Sequence, residues 1–297
     1  MYDTLRLARS TRAKPDAIVI ALFKGAQRVP ADFAGLDEPA VKAVREAIKR
    51  RDFDLSRGAI QSVDAGGGGR RLFVAGLGDE GKFDAKALRI AAAALAGRLH
   101  SAKVSRVDVR LGATLDQRLP NDAIGRALGD GLSIGAFQFD DCRGTVTRPS
   151  ADDAKPKALD VIVERPMQAG LKHALTVGVS ANMARSLAAT PANVANPAYL
   201  VRHCKQMATK VGLKCSVIDA KKAEQMGMGG LTAVGRAGST PPALICLEWP
   251  GKARANQKKA PAPLMFVGKA VTFDTGGYSI KPSDGMVTMK YDKCGGM

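Results

Sequence analysis

The sequence predicts an α/β fold of two domains, each a mostly parallel sheet flanked by helices. Three observations carry that reading. Compact apolar runs recur at 16–23 (DAIVIALF), 71–78 (RLFVAGLG) and 159–164 (LDVIVE), with the length and composition of strands buried on both faces. Segments of helical spacing lie between them, and strands alternating with helices imply a parallel sheet wrapped by helices. The chain has 297 residues, 45% hydrophobic and 25% charged, enough for one large or two ordinary globular domains.

Taken in order, the run at 16–23 is the first predicted strand. Residues 41–48 carry apolar side chains at 41, 44 and 48 with charges between, the stripe of an amphipathic helix. The strand at 71–78 is followed by an alanine-rich helix at 85–99, built from residues of high helix propensity. RVDVRLG at 106–112 alternates as a strand does, 123–137 reads as a helix, and 159–164 is the next strand. Residues 140–158 lose apolar periodicity and gather proline, serine and mixed charge, the marks of a linker or exposed hairpin. The domains are therefore expected at 1–165 and 166–297, with the boundary just after the strand that the linker leads into.

The second half opens with a long helix at 168–188 and another from Pro197 to Val211, followed by a strand at 213–220. Residues 221–249 form a glycine-rich turn leading into the strand ALICLEW. Lys252 to Lys259 reads as a solvated basic hairpin tip, and Leu264 to Val267 as a buried strand opening onto a loop.

Composition excludes several function classes. Aromatic residues make up 5%, too few for base-stacking platforms. No run of about 18 apolar residues occurs, so no membrane span is expected. The first residues lack the apolar core of a secretory signal. Five cysteines, scattered and without a CxxC pair, read as reduced and mostly buried thiols, which implies a cytoplasmic protein. The net charge of +17 keeps DNA as a partner in view, although the excess is spread along the chain and a solvated basic surface is the favoured reading.

Gly76, Gly78 and Gly81 make a formal GxGxxG between a strand and a helix, but the acid that should end the next strand is missing: Asp108 lies inside it, with Arg110 after it. No dinucleotide site is predicted there. The glycines at 66–69 form a loop without the GK[ST] that a phosphate loop needs. There is no HExxH and no GxSxG, so a histidine–zinc protease and a serine hydrolase of the usual kind are both disfavoured.

The chemistry concentrates between Leu264 and Gly296, where VGKAVTFDTGGYSIKP is followed by MKYDKCGG. Carboxylates gathered in loops after an apolar run are natural ligands for hard or borderline divalent cations. In residue type and spacing this stretch resembles the leucine (cytosol) aminopeptidase family of two-metal exopeptidases, and the block RSLAATPANVANPAYL at 185–200 resembles it too. The resemblance implies that Lys269, Asp274 and Asp292 hold metal, with Asp274 bridging two ions, and that Lys281 is catalytic and faces the scissile carbonyl. It implies two divalent ions per site, Mn or Zn first and Mg or Co as alternatives, with peptides as substrates and a homohexamer as the assembly. Asn193 would at most shape the surroundings of such a site, and its safer reading is support of a proline turn.

Two ions about 3.5–4 Å apart activate a water and polarise the carbonyl. An ammonium has no lone pair, so Lys269 can bind metal only deprotonated, whereas Lys281 acts as a cation. The family also carries a later NTDAEGR segment that completes both metal positions, and this sequence does not contain it. The expectation is thus a chain matching the front two-thirds of the family protein, its second domain incomplete at the C-terminus and its own hydrolysis weak or absent. A basic, catalytically incomplete DNA-binding accessory protein is the alternative.

Overall fold

The computed structural model describes residues 2–8, 14–27, 30, 36–64, 71–144, 146, 157–249, 251 and 262–297. The glycine run at 66–69 and the basic segment 252–259 lie outside the described residues, as does most of the expected linker. The chain divides into two compact units, Met1–Met183 and Ala184–Met297.

The first unit is a six-stranded sheet. Its strands are β1 (Thr4–Leu7), β2 (Ala17–Leu22), β3 (Ile60–Val63), β4 (Arg71–Gly76), β5 (Arg106–Arg110) and β6 (Ala158–Val163), arranged β1-β6-β5-β2-β4-β3. All neighbours are parallel except β3, which runs antiparallel along β4 at one edge. Every residue of β2 is buried, because the strand is central and covered on both sides. Its side chains alternate between two cores. Ile18, Ile20 and Leu22 face Ala40, Val44 and Ala47 of helix α1 (Glu38–Ala47), while Ala17, Val19 and Ala21 share a core with helices α2 (Ala85–Ser101) and α4 (Asn121–Ala136). A single turn, α3 (Gly112–Leu115), precedes α4.

The predicted strands and helices of this unit appear within a few residues of their expected places. Two edge strands, β1 and β3, carry no sequence signal because an edge needs only four residues and one paired side. Beside β1, Tyr2 is buried and its hydroxyl donates to the Val104 carbonyl at 2.6 Å.

Helix α5 (Gln168–Ala189) explains why the first unit runs on to 183, past the 165 expected from composition. Its first half packs on α4 at backbone distance. An added Cβ at Gly125 would lie 2.1 Å from the Met167 carbonyl oxygen and 2.8 Å from the Leu171 nitrogen. Further along, the Asn182 side-chain amide donates to the Ser133 carbonyl at 2.9 Å. Gly135, on the same helix α4, meets the Ala93 carbonyl of α2 in the same way, at 2.1 Å. Gly125→Ala should therefore destabilise the first unit by about 1–2 kcal/mol, overpacking outweighing the roughly 1 kcal/mol helix-propensity gain. A lowered urea midpoint would show it.

The start of β2 is tied to that of β5 by Asp16, whose carboxylate accepts from the Ser105 hydroxyl at 2.7 Å and from the Ser105 and Arg106 amides at 2.8 and 2.9 Å. Burial raises its pKa, but these hydrogen bonds and the Arg71 charge outweigh that and hold it below the ordinary carboxylate value. A depressed carboxylate stabilises the fold above its unfolded pKa, and the contribution is lost as pH falls through the folded value. Asp16→Asn should thus lower the urea midpoint at pH 7, with the gap from the parent protein narrowing as pH drops below about 4.

The second unit contains α6 (Pro197–Val211), β7 (Lys214–Ile218), α7 (Ala220–Gln225), α8 (Gly229–Gly235), β8 (Leu244–Glu248) and the short α9 (Ser283–Met286). Where a parallel sheet is expected, the ladder among its described residues is the antiparallel pair β7–β8, with Cys215 opposite Leu247. Leu264–Val267, expected as a buried strand, is not one. The run has no ladder partner among the described residues, and its side chains are 80–89% exposed. An apolar run becomes a buried strand only where a neighbour pairs its backbone.

The cysteines also differ from expectation: all five are free thiols, but Cys142 and Cys294 are exposed and the other three half-buried. Cys204, Cys215 and Cys246 sit on α6 and the β7–β8 ribbon, elements whose side chains are themselves only partly covered. Among the described residues, no helix is long and apolar enough to cross a membrane.

Four helices begin at a side chain that accepts from the first turn. Asp37 takes the Ala40 amide, Asp84 that of Ala87, Asn196 that of Tyr199 and Asp219 that of Lys222, all between 2.8 and 3.0 Å.

Candidate metal centre

The loop from 268 to 281 and the turn from 290 to 296 carry all four expected site residues. Asp274 starts an Asx turn, its Oδ1 accepting from the Gly276 amide at 2.8 Å. Gly276 follows at φ +91°, a left-handed conformation that glycine adopts without strain. The turn brings the chain back so that Lys281 N donates to the Thr275 carbonyl at 2.9 Å, and Lys281 Nζ meets Asp274 Oδ2 at 2.7 Å. On the other side, Lys269 Nζ donates to Asp292 Oδ1 at 2.8 Å. The two backbones touch there: a Cβ at Gly268 would lie 2.2 Å from the Gly295 oxygen.

The structure thus brings the residues together as two lysine–aspartate pairs, Lys281–Asp274 and Lys269–Asp292. The Lys281 hydrogen bond and the Gly276 amide, with weaker help from the Lys281 and Lys269 charges, hold the Asp274 carboxyl below its ordinary value against the opposing effect of burial.

Asp292 Oδ2 is buried without a hydrogen-bond partner. A buried carboxylate oxygen left unpaired is costly unless another group, such as a cation, engages it. Two carboxylates and an amine fit part of a divalent-cation site. Among the described residues, no group of three or more His, Cys, Asp or Glu side chains is placed to complete one.

Sequence reasoning missed Lys293. It is fully buried, and its ammonium donates to the carbonyls of Ala188 at 3.1 Å, Thr190 at 2.9 Å and Lys290 at 2.5 Å. Nothing in an Asp-Lys-Cys-Gly string signals burial of the lysine. Asn193 is exposed in a turn, and it is Asn196, three residues on, that caps the following helix.

The GxGxxG segment has packing reasons for two of its glycines. Gly76 has no room for a Cβ against the Leu55–Ser56 backbone, and Gly78 sits at φ +76°. The segment leads not into a free helix start but into Asp79, Glu80 and Asp84, the last already capping α2. Carboxylates there repel a pyrophosphate.

Comparison with known proteins places this α/β chain. The pattern of the cytosol aminopeptidase family's N-terminal domain matches residues 19–145, and that of the family's catalytic domain matches residues 182–297. A probable cytosol aminopeptidase of Burkholderia multivorans is 32% identical over 290 residues, 95% of this chain and 56% of the relative, and one from Burkholderia cenocepacia is equally similar. Among solved structures, the bottromycin maturation enzyme BotP in complex with Mn aligns with a TM-score of 0.73 at 26% identity, over 95% of this chain and 54% of that one. A tomato leucine aminopeptidase mutant, at 20% identity and a TM-score of 0.67, shares the fold over 85% of this chain and 52% of its own. The chain belongs to the cytosol aminopeptidase family. It spans about half the length of the curated relatives it matches. Nothing in these relatives favours the nucleic-acid alternative.

Proposed function

We propose that the second unit contributes the Lys269, Asp274, Lys281 and Asp292 side of a divalent-metal aminopeptidase centre, which releases N-terminal residues from peptides. The observation that carries this reading is the pair of lysine–aspartate contacts inside the family's catalytic segment. Asp274 would be the shared carboxylate, Asp292 would offer its unpaired Oδ2, and Lys269 would join them after losing a proton from Nζ.

Bound divalent ions supply Lewis acidity and a water activated at neutral pH. Lys281 Nζ is held by Asp274, and with that carboxylate engaged by a metal its ammonium would be the group placed to donate to a developing oxyanion. The loop from Thr275 to Ser279 fixes the reach of Lys281 relative to Asp274. Manganese is the first choice of ion, supported by the Mn complex of BotP and by an oxygen-rich, histidine-free donor set, with zinc next. The relatives' description as cytosol aminopeptidases supports action in the cytoplasm. A hexameric assembly rests on the family alone, and sedimentation of the full chain would test it.

With two carboxylates and one amine, this 297-residue chain should bind Mn(II) in the micromolar range or weaker and hydrolyse a leucine anilide slowly or not at all. Electron paramagnetic resonance of free Mn(II) during a titration reads the binding. Complete absence of binding at millimolar metal would remove the reading.

A further inference from the structure

We infer that Lys293 is a positioning residue of this centre: its ammonium, clamped by three main-chain carbonyls, fixes the turn that presents Asp292. The inference rests on the metal reading above.

The ammonium has three protons and no lone pair, and all three are used within the second unit. Two go to the Ala188 and Thr190 carbonyls at the end of α5, and one to Lys290 in the turn itself. The side chain is fully buried and faces no carboxylate in any ion pair among the described residues. A charge buried without a counter-ion is tolerated only when hydrogen bonds replace its hydration, and three carbonyl dipoles do that here.

The consequence is mechanical. Residues 287–291 and 294–296 are short stretches of 3₁₀ helix, held by isolated bonds such as Asp292 N to the Met289 carbonyl and Gly296 N to the Lys293 carbonyl, both 3.1 Å. Such short turns do not hold themselves. Lys293 pins this one to the end of a long helix on one side. Gly295 and Gly296 press it against Gly268, Lys269 and Ala270 on the other. Asp292, immediately before the anchor, is thereby held where its Oδ1 meets Lys269 and its Oδ2 stays unpaired.

The test uses the full chain with Lys293→Ala and, because the alanine variant leaves a cavity, Lys293→Met, which keeps the apolar stem without the donors. Amide exchange across 288–297 and Mn(II) affinity are measured on each, with and without propylammonium or 1-propanol. Expected are exchange at least about tenfold faster in that segment, a Mn(II) dissociation constant about 10–100-fold higher, and recovery of both in Lys293→Ala by propylammonium but not by 1-propanol. Unchanged exchange would overturn the anchor. Faster exchange with unchanged Mn(II) affinity would overturn the positioning role, as would equal rescue by the alcohol, which would reduce Lys293 to a space-filler. A parent chain that binds no Mn(II) would remove the metal reading itself, and that is seen before any variant is made.

Discussion

Asp274→Asn should weaken Mn(II) binding at least about 100-fold, equivalent to about 2.7 kcal/mol. Losing a residue that merely orients a metal ligand costs 10–100-fold, so loss of the shared ligand itself belongs at or beyond the upper end. Two effects add. The amide offers the cation a neutral oxygen in place of a charged one. It also leaves Lys281 and Lys269 facing one carboxylate instead of two, so the local field turns against a cation. The control is Asp284→Asn at the start of α9, an exposed acid ten positions along the same loop system, which should leave affinity within a factor of two. A fall of less than tenfold in Asp274→Asn would show that Asp274 is not a ligand.

Phe73→Ala should cost about 3–5 kcal/mol of stability, the largest expected loss in the first unit. Phe73 is 1% exposed in β4, the strand between β2 and β3, and it joins the core shared with α2 and α4. The same core contains Ala75 and the alanine-rich face of α2. Small side chains cannot swing in to fill a ring-sized hole, so relaxation is limited and the cavity cost stays near its full value. Against the 5–15 kcal/mol typical of whole domains, that is a substantial fraction. Urea unfolding followed by far-ultraviolet circular dichroism measures it. Phe266→Ala is the contrast, since at 87% exposure it should change stability by less than about 0.5 kcal/mol.

The central strands were legible because burial on both faces forces a continuous apolar run: Ala17–Leu22 and Arg71–Gly76 could hardly be read otherwise. Thr4–Leu7 and Ile60–Val63 escaped because edge strands of four residues have no such demand. The Leu264–Val267 run shows the converse, since hydrophobicity marks a segment fit for a sheet but does not supply the neighbouring strand. The compact units divide at Met183 while composition points to 165, because composition sees the charged linker whereas contacts follow α5 onto α4 through Gly125 and Gly178. Of the candidate site, the residue types and their spacing were visible in sequence. The pairing of Lys269 with Asp292 rather than Asp274, and the burial of Lys293, depend on where two distant segments meet, and no local pattern encodes that.

The side-chain caps at Asp37, Asp84, Asn196 and Asp219 bear on how a protein of net charge +17 meets acidic molecules. A helix start with free amides holds an anion at a fixed point and angle. At these four starts an acceptor from the chain itself already occupies that place. Around these four starts the attraction then comes from lysine and arginine heads on flexible stems, a diffuse halo rather than a socket. Such a halo speeds encounters, distinguishes poorly between one polyanion and another, and fades once ions in solution shorten its range to about 8 Å at physiological ionic strength.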